Sequence, residues 1–106
     1  MFEVHEERIG AELVVSIAGE LDPSTAPYLH DRIYELELDD VSLELVTADL
    51  SELDFLDSAG IGTLVELRER TVSGGCRLRL VNVRPAQLRI FRITGLIDAL
   101  GVEVPR

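Results

Sequence analysis

The residues best suited to carry out chemistry lie between Asp49 and Gly62. Val41 to Leu50 is rich in Val and Leu, as expected of an inner strand, and from Ile61 onward the apolar residues recur at helical spacing. A short loop is predicted to join this strand to the helix and leads to Ser58, which is predicted to lie at the start of the helix. A helix start has unpaired backbone N–H groups and a partial positive charge. Ser58 is therefore well placed to carry a phosphate.

Two aspartates near this serine could act as paired carboxylates in acid–base or metal chemistry. A simpler interpretation is favoured: Asp54 is predicted to be a solvated loop residue, and Asp57 a carboxylate that the dipole stabilises at the helix start. His5 and His30 have no Cys or His partner at metal-ligand spacing. We therefore expect neither a metal site nor a cofactor.

Enzyme motifs are scarce in this chain. Gly60-Ile61-Gly62 lacks the further glycine and the lysine of nucleotide-binding loops. Ser58 lacks the glycine that a hydrolase elbow has two residues earlier, because that position is Leu56. A Ser-His-Asp site would need a histidine to meet Ser58 in space, which the sequence neither favours nor excludes. A binding protein without catalytic residues is predicted, and an esterase ranks far behind it.

The elements that position Ser58 follow from alternation, helical spacing and turn residues. A first short strand is predicted to begin at Phe2 and Val4, before a turn at Arg8-Ile9-Gly10-Ala11, and further strands are predicted from Leu13 to Ala18, Val41 to Leu50 and Cys76 to Val83. Helices are predicted from Asp22-Pro23-Ser24-Thr25 to a close at Asp39-Asp40, from Ser58 to Ser73-Gly74-Gly75, and from Ala86 to Thr94. The first two strands could form a hairpin, and the form of Leu96 to Val104 is left open. Successive strand–helix–strand units predict parallel pairing within a mixed sheet.

Composition limits the class of protein. The 106 residues are 46% hydrophobic and 28% charged, which is typical of one small globular domain. No apolar run approaches the ~18 residues of a membrane span, and the N-terminus lacks the basic lead and apolar core of a secretory signal. The single Cys76 excludes an internal disulfide and suits a reducing cytoplasm, which is the expected location.

Charge is distributed unevenly along the chain. The formal net charge is −10, and lysine is absent. Residues 1–57 hold 16 carboxylates and two arginines, whereas residues 58–106 hold four carboxylates and eight arginines. An acidic half disfavours nucleic acid and anionic membrane and favours a basic protein partner. Net negative charge also simply keeps a protein soluble.

Asp49-Leu50-Ser51 followed by the run from Phe55 to Gly62 resembles the signature of STAS domains, and among these the stand-alone anti-sigma factor antagonists of bacteria. Gly19-Glu20-Leu21-Asp22 and Arg92-Ile93-Thr94-Gly95-Leu96 extend the resemblance across essentially the full length. It implies an α/β fold: a single STAS domain over residues 1–106, with a mixed four- to five-stranded sheet and helices packed mainly on one face.

The resemblance also implies a function. Such proteins bind an anti-sigma factor that is also a serine kinase, and phosphorylation of the serine matched by Ser58 releases it; a metal-dependent Ser/Thr phosphatase restores binding. The sigma factor is free while its anti-sigma factor is held. The implied partner-binding residues are Asp22, Ser24, Thr25, Asp57, Ser58, Ala59, Gly60, Ile61 and Gly62.

One position departs from the family pattern. Many members have a second Ser or Thr directly after the target serine, whereas this chain has Ala59, with Thr63 about one helical turn further on. Two alternatives stay open: a scaffold component of a stressosome-type assembly, and a soluble STAS subunit of a lipid transporter. No nucleic acid and no membrane insertion are expected, and the chain is expected to be a monomer or weak dimer.

Overall fold

The computed structural model describes residues 1–105 of the chain. The elements in this range are β1 (Glu3–Ile9), β2 (Glu12–Leu21), α1 (Ala26–Glu35), β3 (Leu45–Asp49), β4 (Leu53–Leu56), α2 (Ser58–Ser73), β5 (Arg77–Val81) and α3 (Pro85–Ile93).

The strands form one mixed sheet built around β2. β1 and β2 pair antiparallel, as the predicted hairpin requires, and β2 pairs parallel with β3. β3 in turn pairs parallel with β5, so the sheet order is β1-β2-β3-β5. β4 extends the β3 side of the sheet by pairing parallel with the last residues of β2. The predicted α/β fold with a mixed sheet of up to five strands is therefore confirmed.

The prediction of a loop between β3 and Ser58 is wrong, because part of this segment forms β4. The backbone N–H of Leu53 donates to the carbonyl of Leu50 at 3.1 Å, and a tight turn thus redirects the chain. Leu53 and Leu56 are then buried at the two ends of the strand. Four residues are too few for alternation to distinguish a strand from a loop.

Other boundaries shift by a few residues, and the largest shift is at the end of α1. The helix ends at Glu35 rather than at Asp39-Asp40, because Leu36 adopts an extended conformation. Leu36 and Leu38 are both buried, so the extended segment that follows α1 also contributes to the core.

The core lies between the sheet and the helices. Alternate residues of β2 are buried because successive side chains of a strand point to opposite faces. α1 and α2 pack side by side, and each contributes buried aliphatic residues. The core residues from these three elements are Leu13, Val15, Ile17, Leu21, Leu29, Ile33, Leu64 and Leu67. Among the described helices, none has the length and apolar character needed to cross a bilayer.

Candidate functional site

The pairing of β2 with β4 brings the starts of two helices together. Leu21 and Leu56 are register partners in parallel strands. The residues that follow them are Asp22, which begins the turn into α1, and Asp57, which precedes α2. Because paired strands lie only about 4.8 Å apart, both turns lie at the same edge of the sheet.

Asp57 caps α2 and leaves Ser58 exposed. The Asp57 carboxylate accepts hydrogen bonds from the backbone N–H groups of Ala59 at 3.0 Å and Gly60 at 3.2 Å. Ser58 is the first residue of the helix and is exposed to solvent. Its hydroxyl takes part in none of the hydrogen bonds found within residues 1–105, since the cap is supplied by Asp57. The Ser58 hydroxyl is thus accessible to a modifying enzyme.

The second hydroxyl of this region is not accessible. Thr63 is only 3% exposed, and its Oγ1 donates to the carbonyl of Ala59 at 3.0 Å. Position 59 itself carries no hydroxyl. Of these two hydroxyl-bearing residues of α2, Ser58 is therefore the one exposed to solvent.

Asp22 organises the turn into α1. Its Oδ1 accepts hydrogen bonds from the backbone N–H of Ser24 at 2.9 Å, from Ser24 Oγ at 2.7 Å and from the backbone N–H of Thr25 at 3.2 Å. The Ser24 hydroxyl is the main cause that lowers the pKa of Asp22. Thr25 is the N-cap residue of α1, although its own hydroxyl donates to the carbonyl of Glu20 at 2.7 Å. The carboxylate is thus held ionised at the edge of the sheet where Ser58 lies.

A shallow groove of about 580 Å³ separates the first turns of α1 and α2. Three of the predicted partner-binding residues line it: Ser58, Ala59 and Gly62. The remaining lining residues were not predicted from the sequence, because they depend on how α1 lies against α2. They are Pro23, Ala26, Pro27, His30, Thr63 and Glu66.

Gly60 and Ile61 belong to the interior more than to this surface. A Cβ at Gly60 would lie 2.6 Å from Leu56 Cδ1 and 2.7 Å from Leu21 Cγ, so the glycine allows α2 to approach the ends of β2 and β4. Ile61 is partly buried and packs against the core. Gly60 therefore has a packing role, which is distinct from its predicted role in partner binding.

Two residues of the β5–α3 region hold β4 in place, and neither was predicted from sequence. Gln87 is only 3% exposed, and its Nε2 donates to the carbonyl of Leu53, the first residue of β4, at 2.8 Å. The Arg84 guanidinium donates to the carbonyl of Ser51 at 2.8 Å and to Asp54 Oδ1 at 2.9 Å. Asp54 is thus an exposed, ion-paired residue, consistent with the predicted solvated position.

The histidines do not support a hydrolase. His30 Nδ1 lies 2.6 Å from Glu66 Oε2. Glu66 comes eight residues after Ser58 on α2, and eight residues correspond to about 12 Å along a helix axis. His5 lies beside Glu3 on β1, with 3.6 Å between Nε2 and Oε2. No group of three or more potential metal ligands occurs in the described part of the chain.

The chain belongs to the STAS domain family, whose model matches residues 3–104. The anti-sigma-B factor antagonist of Bacillus subtilis is 32% identical over 92 residues, which cover 87% of this chain and 82% of that protein. An anti-sigma factor antagonist from Mycobacterium paratuberculosis has a crystal structure with a TM-score of 0.84 at 28% identity, covering 99% of this chain and 87% of that chain. The Bacillus cell fate determinant SpoIIAA in its phosphorylated form shares the fold, with a TM-score of 0.69 at 19% identity over 98% of this chain and 92% of that chain.

Proposed function

We propose that this protein is an anti-sigma factor antagonist, which binds an anti-sigma factor while Ser58 is unmodified and is released when Ser58 is phosphorylated. The observation that carries the proposal is the Ser58 hydroxyl itself: it is exposed, makes no hydrogen bond within the described residues and lines a groove at a helix start. Relatives named as anti-sigma factor antagonists support the partner class. Sequestering the anti-sigma factor would free its sigma factor for transcription.

The charge around Ser58 explains why a phosphate would prevent docking. A phosphoryl group adds about −1.5 to −2 charges near pH 7. Asp57 already accepts from two N–H groups of the first helical turn, so these donors are not free to neutralise the phosphate. The new charge would join the carboxylates of Asp57 and Asp22 at one edge of the sheet, and a partner would have to desolvate it.

The magnitude of this effect is sufficient for a switch. Two unit charges ~4 Å apart interact by about 4 kcal/mol at an effective dielectric constant of ~20. A free-energy change of about 1.4 kcal/mol alters affinity tenfold. Charge at one position can therefore reverse binding without any change in the fold.

The enzymes of the switch form part of the proposal. We infer that the anti-sigma factor is also the serine kinase and that a metal-dependent Ser/Thr phosphatase removes the phosphate, while this chain catalyses neither step. The proposal treats residues 1–106 as one STAS domain that acts in the cytoplasm as a monomer or weak dimer. The acidic first half of the chain favours a partner with a basic surface.

Phosphate mapping tests this function. The wild-type protein and Ser58→Ala would be incubated with ATP and each purified anti-sigma factor kinase of the source organism, and peptides would be analysed by mass spectrometry. We expect one phosphate, on Ser58, and none in Ser58→Ala. Phosphate on Thr63 or on Ser24 instead of Ser58, or no phosphate with any kinase, would count against the proposed switch.

A further inference from the structure

Along the seam between α1 and α2, long side chains of the two helices contact each other at two successive turns, whereas a groove separates the helices at the turn before these. His30 meets Glu66, 36 residues later in the chain, at 2.6 Å, and the Arg70 guanidinium stacks over the Tyr34 ring at 4.8 Å with the same separation in sequence. From the first pair to the second, each helix advances by four residues, which is about one helical turn, as expected of two parallel helices.

One turn before His30 and Glu66, the same spacing pairs Ala26 with Gly62, and both line the groove beside Ser58. These small residues cannot bridge the seam as the longer side chains do. The groove is therefore a part of the α1–α2 seam that this chain leaves unfilled, one turn along α2 from the Ser58 hydroxyl; a second gap, lined by Leu38, Arg70 and Ser73 among others, lies at the opposite end of the seam.

Gly62 has no structural reason to be glycine in the isolated chain. Its φ is not in the left-handed region, and a Cβ built there would have no atom within 4 Å apart from its chain neighbours and the adjacent backbone of its own helix. Gly60, by contrast, is required because a Cβ would collide with Leu56 and Leu21. A helix is less stable with glycine at an interior position than with alanine at the same position. Glycine at position 62 thus lowers the stability of α2, and no close packing around it within the described chain compensates for this loss.

We propose that the Ala26–Gly62 part of the groove receives an aliphatic side chain of the anti-sigma factor, and that Glu66 binds a basic residue next to that side chain. This inference rests on the proposed function and specifies the chemistry of the partner at the same site. The walls beside the gap are apolar, since Pro23, Pro27 and Ala59 form them.

The carboxylates at the two ends of the groove indicate which charged residues the bound partner segment carries. Glu66 lies at the far end of the groove, and His30 contacts its Oε2, so Oε1 remains available for a cation. Asp57 carries a further carboxylate at the Ser58 end. A partner segment with an aliphatic residue flanked by Arg or Lys complements this surface, whereas an acidic segment does not.

Substitutions at Gly62 give effects of opposite sign on stability and binding. Gly62→Ala should raise the melting temperature by up to about 4–8 °C, because helix propensity improves and nothing is displaced. Gly62→Leu should fill the groove and weaken binding to the purified anti-sigma factor kinase at least tenfold, as measured by isothermal titration calorimetry. Ser73→Leu, which adds the same side chain at an exposed position at the far end of α2, is the matched control and should bind like wild type.

Glu66 is tested by a charge-matched pair of variants. Glu66→Gln should weaken binding several-fold and reduce its dependence on salt, because one ion pair with the partner is lost. Glu69→Gln removes the same charge from an exposed position on α2 that does not line this groove, and it should leave affinity unchanged. Equal effects of the two variants would show that only net charge matters, and the assignment of Glu66 would be wrong.

Further arms separate this inference from the proposed function. If the wild-type protein binds the kinase, Ser58→Asp does not, and Gly62→Leu binds within twofold of wild type, the groove is not the docking site although the switch stands. If wild type binds no anti-sigma factor kinase, both proposals fall. If Gly62→Leu changes the protein's own oligomeric state in size-exclusion chromatography and leaves the affinity unchanged, a second copy occupies the groove and the inference is overturned.

Discussion

Asp22 and Asp57 hold equivalent positions, because each directly follows one member of the Leu21–Leu56 register pair. Each carboxylate also accepts backbone N–H groups at the turn that begins a helix. The parallel pairing of β2 with β4 thus sets two negatively charged turns side by side. Ser58 follows the second of these turns, so a phosphate there would add charge where two carboxylates are already fixed.

Low pH should destabilise the protein in part through Asp22. Hydrogen bonding, chiefly from Ser24, holds the folded-state pKa of Asp22 below its ordinary value. A lowered folded-state pKa contributes stability that is present above the unfolded-state pKa of about 3.9 and is lost as pH falls through the folded-state pKa. Urea unfolding of wild type and Asp22→Asn at pH 7, 4 and 3 should show a smaller acid-induced loss in the variant. Parallel pH dependences in the two proteins would contradict this role of Asp22.

Gly60 and Gly62 should respond oppositely to alanine. Gly60→Ala places a methyl group against Leu56 and Leu21 and should lower the free energy of unfolding by about 1–3 kcal/mol, as is usual for an overpacked core. Gly62→Ala should raise it by up to about 1 kcal/mol. Chemical denaturation monitored by circular dichroism measures both. A stability loss at Gly62 equal to that at Gly60 would mean that α2 packs more tightly around Gly62 than the structure indicates.

Gln87 should control the local stability of β4. Gln87→Leu removes the donor to the buried carbonyl of Leu53, and leaving such a group unpaired costs about 1–3 kcal/mol. Amide hydrogen exchange should accelerate in β4 and the first turn of α2 more than in β3. Arg89→Ala, at an exposed position of α3, is the control and should leave the exchange pattern unchanged. Uniform acceleration across the sheet would show a global effect instead of a local one.

Variants of Ser58 should separate binding from modification. Ser58→Ala should bind the anti-sigma factor permanently, because it retains a small neutral side chain and cannot be phosphorylated. Ser58→Asp should fold normally and bind weakly, since the exposed position tolerates a carboxylate that the partner does not. Melting temperatures and calorimetric affinities check both variants. Equal affinities of the two would argue against a charge-operated switch.

The sequence predicted the parts of the fold that local patterns encode. Alternation identified β2, and the change to helical spacing placed Ser58 at the start of α2. β4 was missed because four residues between two turns carry too little periodicity. The α1 side of the groove was missed for another reason, as were the hydrogen bonds from Arg84 and Gln87 to β4 and the turn before it. These contacts depend on how separate elements pack, and the spacing of residues along the sequence does not encode such packing.

The affinity of the phosphorylated protein for its anti-sigma factor tests the central claim most directly. Stoichiometrically Ser58-phosphorylated and unmodified protein would be titrated against the same kinase without ATP, by calorimetry at physiological salt. The account predicts that phosphorylation weakens binding by at least about tenfold, a change of about 1.4 kcal/mol, with no change in the circular dichroism spectrum. Equal affinity of the two forms, or a loss of binding that accompanies unfolding of the domain, would contradict it.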